Sequence, residues 1–349
     1  MRMVSPAVSV VLSVYNERPY LGRAVQSILD QTFEEFEFII INDGSTDGSK
    51  AVLEEFAGRD DRIRLVHQRN KGLIASLNRG LEIASGKYIA RMDGDDISHP
   101  ERFERQVSFL EENSEFGILG TWIEIIDETG NLDRQWRLPT NPDAVAWQSL
   151  FNYRLCHPAI MARQSVLKSL GGYAEWATCA EDYELWSRAV FKTRIANLPD
   201  ALHKHRVHQD AITVKDRAEQ IETVIDAAVT AHRSLLGTRT NEQISRFLLW
   251  MDIIGIERAI EETGLEDFPA AFEYVRSLYQ AFARQVARGR GSIEARQNAL
   301  PKLDKISSEI GKKEGRLEEM KYKLRARTMP PTYEVIPWLY KSIQRRVVR

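Results

Sequence analysis

Three aspartates in four positions, Asp93, Asp95 and Asp96, follow the apolar run Tyr88-Ile-Ala-Arg-Met92, with only Gly94 among them. Like charges crowd there at a cost that water or a divalent cation must offset. A strand ending in carboxylates puts them where α/β sheets bind ligands, at the strands' carboxyl ends. Taken alone, the cluster is as well read as an acidic turn. A second acidic pair, Glu181 and Asp182, opens the segment Glu181-Asp-Tyr-Glu-Leu-Trp186. One of the two could serve as a general base, or both could simply sit at a helix start, where the helix dipole favours them. His203, His205 and His208 crowd a third segment, either as metal ligands or as ordinary loop histidines.

These groups need a frame. With 349 residues and 43% hydrophobic content, the chain can build a large core and more than one domain. A formal charge of -2 gives no drive toward nucleic acid, and none is expected as a partner. Cys156 and Cys179 supply neither a disulfide framework nor metal-ligand spacing, so a reducing, cytoplasmic setting fits. The run Val8–Val14 is similar to a signal-peptide core but lacks a basic lead-in and a cleavage site. No stretch reaches the roughly 18 apolar residues that span a bilayer, so a soluble or at most peripheral protein is expected.

Residues 8 to 92 alternate β-rich runs with helical periodicity, the pattern of a parallel α/β sheet. Strands are expected at Val8–Val14, Phe36–Ile41, Arg62–Val66 and Tyr88–Met92. Helices are expected after Pro19, from Ser49, over Leu73–Ala84, and from His99-Pro100 to Leu110. Phe116–Ile126 and Leu132–Leu138 read as an antiparallel addition, and residues 141 to 208 as less regular. Beyond about residue 212 the pattern turns helical. Ile221 to Leu235 follow helical spacing, Thr240…Gln243 reads as a capping box, and Tyr274, Val275, Leu278, Phe282 and Val286 mark another helix. Leu303, Ile310, Leu317 and Leu324 recur every seven residues, a helical hairpin or short coiled coil over 302–326 that makes a homodimer conceivable, with Pro301 as its start.

Three ordered segments together resemble family 2 glycosyltransferases, inverting enzymes with a GT-A fold. They are Val8-Ser-Val-Val-Leu-Ser-Val-Tyr-Asn-Glu17 with Ser27–Phe33 and Phe38–Asp47; Asn70-Lys-Gly72 with Ser76-Leu-Asn78 and Gly86–Asp96; and His157-Pro158, Gly171-Gly-Tyr173 and Glu181–Trp186. The resemblance covers roughly residues 7 to 210. It implies an α/β fold, a GT-A (Rossmann-like), mostly parallel sheet flanked by helices, in a catalytic domain over 1–212. A mainly helical C-terminal extension over 213–349 would follow.

The resemblance also distributes roles. Tyr15 would stack on a nucleobase and Glu17 would accept hydrogen bonds from ribose or base, unless both lie in a solvated loop. Asp43 would accept from a uracil ring nitrogen, its alternative being an Asx turn. Lys71, Arg91 and, further on, Arg206 could approach the diphosphate. Asp93 would face the ribose side of the nucleotide sugar. Asp95 would bind Mn²⁺ or Mg²⁺, with His208 a candidate second ligand, while Asp96 orients the loop before the His99 helix. Asp182 corresponds to the catalytic base. Glu181 would touch acceptor or donor hydroxyls, and Trp186 either offers its face to sugar or belongs to the core. His157 is either part of the family site or a buried structural histidine.

The implied reaction moves a sugar from a nucleotide sugar, UDP-linked by expectation, to a glycan or lipid-linked hydroxyl in cell-surface polysaccharide synthesis. A sugar-phosphate nucleotidyltransferase is the nearest rival, but Ser13-Val-Tyr-Asn-Glu-Arg18 is not its glycine- and arginine-rich phosphate loop. A non-catalytic nucleotide-binding scaffold would not need a base at Asp182. The C-terminal tail carries Lys341, Arg345, Arg346 and Arg349, with Leu339, Tyr340, Ile343 and Val347 on one arc of a helix over 337–349. It reads either as a membrane-surface contact or as a helix that docks on protein.

Overall fold

The computed structural model describes residues 6–208, 217–286 and 293–327. Four strands, Val8–Val14 (β1), Phe36–Asp43 (β2), Ile63–Gln68 (β3) and Tyr88–Met92 (β4), lie parallel in the order β3-β2-β1-β4. The helices Arg18–Leu29 (α1), Ser49–Ala57 (α2) and Leu73–Ile83 (α3) connect them. Every residue of β1 is buried, as expected for a parallel strand covered on both faces, and this is why its sequence is mostly apolar, with only the small Ser9 and Ser13 between. Val8, Val10, Leu12 and Val14 share one core with Leu21, Val25 and Ile28 of α1.

The remaining elements of this region are Ile97–Ser98 (β5), Arg102–Glu112 (α4), Phe116–Ile126 (β6), Leu132–Trp136 (β7), Pro142–Gln148 (α5), Met161–Arg163 (β8), Gln164–Ser169 (α6), Glu181–Ala189 (α7) and Arg194–Arg206 (β9). They extend the sheet beyond β4 in the order β8-β6-β9-β5, with β7 on β6. β8 is antiparallel to both β4 and β6, while β6 and β9 run parallel. The sheet is therefore parallel in its first half and mixed in its second.

The region expected to be irregular holds the longest strand, β9, and three helices. Pro199 and a mixed polar composition hide β9. The register against β6 slips between Thr121↔Leu198 and Trp122↔Ala201, which lets Pro199 and Asp200 bulge out of the ladder.

The chain divides into two compact units at Ala231/His232. After α7 the helices are Arg217–Leu236, Glu242–Ile253, Ile256–Thr263, Phe268–Gln285, Ile293–Glu314 and Arg316–Arg327. Two expected helix starts move. Asn241, not Thr240, caps the second of these by accepting from Ile244 N at 3.1 Å, because Thr240 Oγ1 is turned back onto Gly237 O. Pro301 lies inside Ile293–Glu314 rather than at a helix start. The heptad segment breaks at Gly315 (φ +97°), where two packed helices meet, and Leu303, Ile306 and Ile310 are buried within the chain. No described helix is long and apolar enough to cross a membrane. The basic segment 337–349 lies outside the described residues.

Candidate active site

The chain leaves the carboxyl ends of β1, β2, β3 and β4 in four loops, the first three of which are hydrogen-bonded to one another. After β1, Asn16 takes a left-handed conformation (φ +59°), and its side chain accepts from Thr46 N at 2.8 Å. Asp47 accepts from Arg18 N at the start of α1 and from Ser49 N and Oγ at the start of α2. A single carboxylate thus satisfies otherwise orphaned donors of two helices. Tyr15 stands on this loop with 50% of its surface exposed.

Asp43 is buried at the end of β2. Its Oδ1 accepts from Gln68 Nε2 and Lys71 N, and its Oδ2 from Gly72 N, each at 2.8 Å. The carboxylate therefore fixes the Asn70-Lys71-Gly72 loop. The Lys71 side chain itself is exposed.

The acidic turn follows β4. Ligand atoms of Asp93, Asp95 and Asp96 lie within 4.8 Å of one another, but the three residues have different partners. Asp93 pairs with Arg91, which is buried in β4. Arg91, expected near the diphosphate, is thus engaged in an internal ion pair. Asp95 Oδ2 meets His208 Nε2 at 3.0 Å. Burial, then repulsion from Asp96 and Asp93, raises the Asp95 carboxyl to about 6.

Asp96 is fully buried. It accepts from His203 Nε2 (2.8 Å), His205 Nδ1 (3.1 Å) and Arg206 N (2.8 Å). Despite its burial, these histidines hold it well below the ordinary carboxylate range. It binds β9 rather than orienting the loop before His99, and it has little capacity left for a cation. Burial opposes a charge on His205, yet Asp96 prevails and raises that imidazole to about 9.

Glu17 joins this turn. Burial first, then the charges of Asp95 and Asp93, push its carboxyl well above the ordinary value, and Oε2 has no hydrogen-bond partner. The approach requires glycine at 94, since a Cβ there would fall on Glu17 Oε2.

A second acidic centre lies at the start of α7. Asp182 Oδ1 accepts from Tyr183 N at 2.7 Å. Burial and then the Glu181 charge raise Asp182 to about 8, with Arg91 opposing. Glu181 is buried and also raised, chiefly by burial, with His157 Nδ1 3.7 Å from its Oε1. His157 Nε2 is 2.7 Å from Tyr173 OH, and burial holds this histidine neutral, well below its ordinary value. Asn78 spans Tyr173, accepting from its N–H and donating to its C=O, both at 2.9 Å. Arg188 ties α7 to the same turn by donating to Gly172 O at 2.9 Å.

Two expected contacts are corrected by burial. Trp186 is 1% exposed, with its ring edge-on to His157, so it is core and offers no face to sugar. Arg206 is likewise 1% exposed and donates to the carbonyls of Asp95, Asp127 and Glu128. One neighbour escaped the sequence reading. The Tyr153 hydroxyl is buried without a partner, and burial followed by the Asp182 charge raises it strongly. A lone tyrosine outside any motif gives no signal of this.

Residues 9–171 match the family described as Glycosyl transferase family 2. An uncharacterized glycosyltransferase of Haemophilus influenzae is 36% identical over 228 residues, covering 62% of this chain and 71% of that protein. The chain belongs to glycosyltransferase family 2. The amylovoran biosynthesis glycosyltransferase AmsE of Erwinia amylovora is 34% identical over 208 residues, 58% of this chain and 77% of AmsE. Among solved structures, S. aureus TarS 1-349 in complex with UDP-GlcNAc superposes with a TM-score of 0.57 at 18% identity, covering 88% of this chain and 92% of that one. The mannosyltransferase PcManGT of Pyrobaculum calidifontis, in complex with GDP-Man and Mn²⁺, gives 0.53 at 15% identity over 93% and 86%. These likenesses establish the fold, a GT-A α/β domain with a helical C-terminal part, and the family makes this chain a glycosyltransferase.

Proposed function

We propose that this family 2 enzyme is an inverting, metal-dependent transferase that moves a sugar from a UDP-linked donor to a hydroxyl of a glycan or lipid-linked acceptor in cell-surface polysaccharide synthesis. The observation that carries the reading is the contact of Asp95 with His208, 113 positions apart in sequence, at the carboxyl end of β4. An imidazole and a carboxylate meeting beside Asp93 and an unpartnered Glu17 oxygen form a donor set that fits one divalent cation, whose shell phosphate and water complete. When bound, Mn²⁺ or Mg²⁺ would neutralise charge on the departing diphosphate.

The protein's own groups do the rest. Tyr15 offers a ring to the base. Asp43 already accepts three hydrogen bonds, so of about four lone-pair sites one remains. That capacity suits the single ring N–H of uracil better than the paired donors of guanine. At Asp182 the acceptor hydroxyl gives up its proton as its oxygen bonds to the anomeric carbon and the bond from that carbon to the diphosphate oxygen breaks. One displacement from the face opposite the leaving group inverts the anomeric centre. The relationship to AmsE supports a polysaccharide acceptor, and a cytoplasmic setting follows from nucleotide sugar use. Membrane contact through 337–349 would be tested by deleting that segment and measuring liposome binding.

The test is a thermal-shift screen of UDP-, GDP- and dTDP-sugars with Mn²⁺, followed by assay of nucleoside diphosphate release. A UDP-sugar at 100 times its Kd should stabilise the fold by about 2.7 kcal/mol, and UDP should be released slowly even without acceptor. No shift and no release with any donor would sink the reading.

A further inference from the structure

Asp96 is the fully buried aspartate of the turn, and it holds the most partners. Both of its oxygens are engaged by the last strand, through His203, His205 and the backbone of Arg206. His203 is fixed from its other side, with Nδ1 3.1 Å from Arg102 Nη1, so that Nε2 carries the proton toward Asp96. The backbone pairs alongside, with β5 against β9 at Ile97↔Lys204 and Ser98↔His203. Arg206 closes the loop by donating Nε to Asp95 O at 2.8 Å. Two residues further on stands His208 on Asp95. Tyr20 of α1 packs against both, its ring 5.2 Å from the His208 ring and 4.7 Å from the Arg206 guanidinium carbon.

We propose that Asp96 is a positioning residue for His208: by locking the end of β9 onto the acidic turn, it sets the imidazole against Asp95 in the orientation a divalent cation requires. This rests on the metal-dependent reading above. Adjacent aspartates thus divide their work, Asp95 offering an oxygen to the ion and Asp96 aiming the second ligand. Outer partners of this kind alter metal affinity by about 10–100-fold when removed.

The test is a double-mutant cycle read as Mn²⁺ affinity rather than turnover. Mn²⁺ is titrated against the full chain in the presence of UDP, with bound ion followed by electron paramagnetic resonance, for wild type, Asp96→Asn, His208→Ala and the double variant. The expected result is a loss of about 10-fold or more for each single variant and no further loss in the double. Additive losses would overturn the proposal, since Asp96 would then act independently of His208. Wild-type affinity in Asp96→Asn would overturn it too. Should that variant fail to fold, His205→Ala removes one donor of the lock and should weaken Mn²⁺ only when His208 is present; equal weakening in the His208→Ala background overturns the proposal. A wild-type chain that binds UDP but no Mn²⁺ would refute the metal reading together with this one, whereas additivity on a metal-binding wild type refutes only the positioning.

Discussion

Asp182 carries a testable electrostatic signature. Burial and the Glu181 charge raise its carboxyl to about 8, and a base must be ionised to accept a proton. Transfer should therefore rise with pH through a limb near 8 in kcat/KM, and a limb near 4 would dismiss this residue as the base. The stability effect has the opposite sense. Between its ordinary value of 3.8 and 8 the folded state holds a proton that the unfolded chain has lost, so this group's contribution is full below the window and declines as pH rises through it. Asp182→Asn should then gain Tm relative to wild type from pH 5 to pH 9, while transfer falls by about 10²–10⁴-fold and UDP binding persists. Such acidic residues were singled out by their place in an ordered set of motifs, since carboxylates at a turn or a helix start are otherwise ordinary. Trp186 and Arg206 stayed open in sequence because their types suit a site equally well buried or exposed, and burial follows from neighbours that are distant in sequence.

At the scale of elements, the loops rather than the strands hold the site in register. Asp47→Ala removes acceptors from the starts of both α1 and α2 and should cost about 1–2 kcal/mol, visible as a lower urea midpoint with an unchanged m value. Gly94→Ala should behave differently. Its Cβ would displace only the end of the flexible Glu17 side chain, so Tm should hardly move while Mn²⁺ and donor binding weaken. A large loss of stability would show that Glu17 has no room to move. The strands β1, β4 and β6 were readable to the residue, since each is rich in apolar and β-branched residues and mostly buried. β9 was not, because its bulge at Pro199 and its histidines are stabilised by partners on β6 and on the acidic turn rather than by local propensity.

Across the whole molecule, the sheet's two halves have different grammars. The parallel half, with its alternating strands and helices, announces itself in sequence; of the mixed half, β6 and its hairpin partner were legible, while β8 and β9 depend on pairings between segments far apart. The lock of Asp95 and Asp96 onto residues 203–208 is such a pairing, spanning 107 to 113 positions. Contacts of that span form late, because a long loop must close before they repay its entropy. During synthesis, all four parallel strands can emerge well before His208 leaves the ribosome, yet they lack the second half of the proposed metal-binding pair. In refolding from urea, recovery of Mn²⁺ binding should therefore coincide with or trail amide-exchange protection of β1–β4, and binding that recovers first would contradict this order. A nascent chain that could already destroy scarce donor without an acceptor surface would be wasteful; on the proposed mechanism, chemical competence is withheld until the segment carrying His208 has joined the acidic turn.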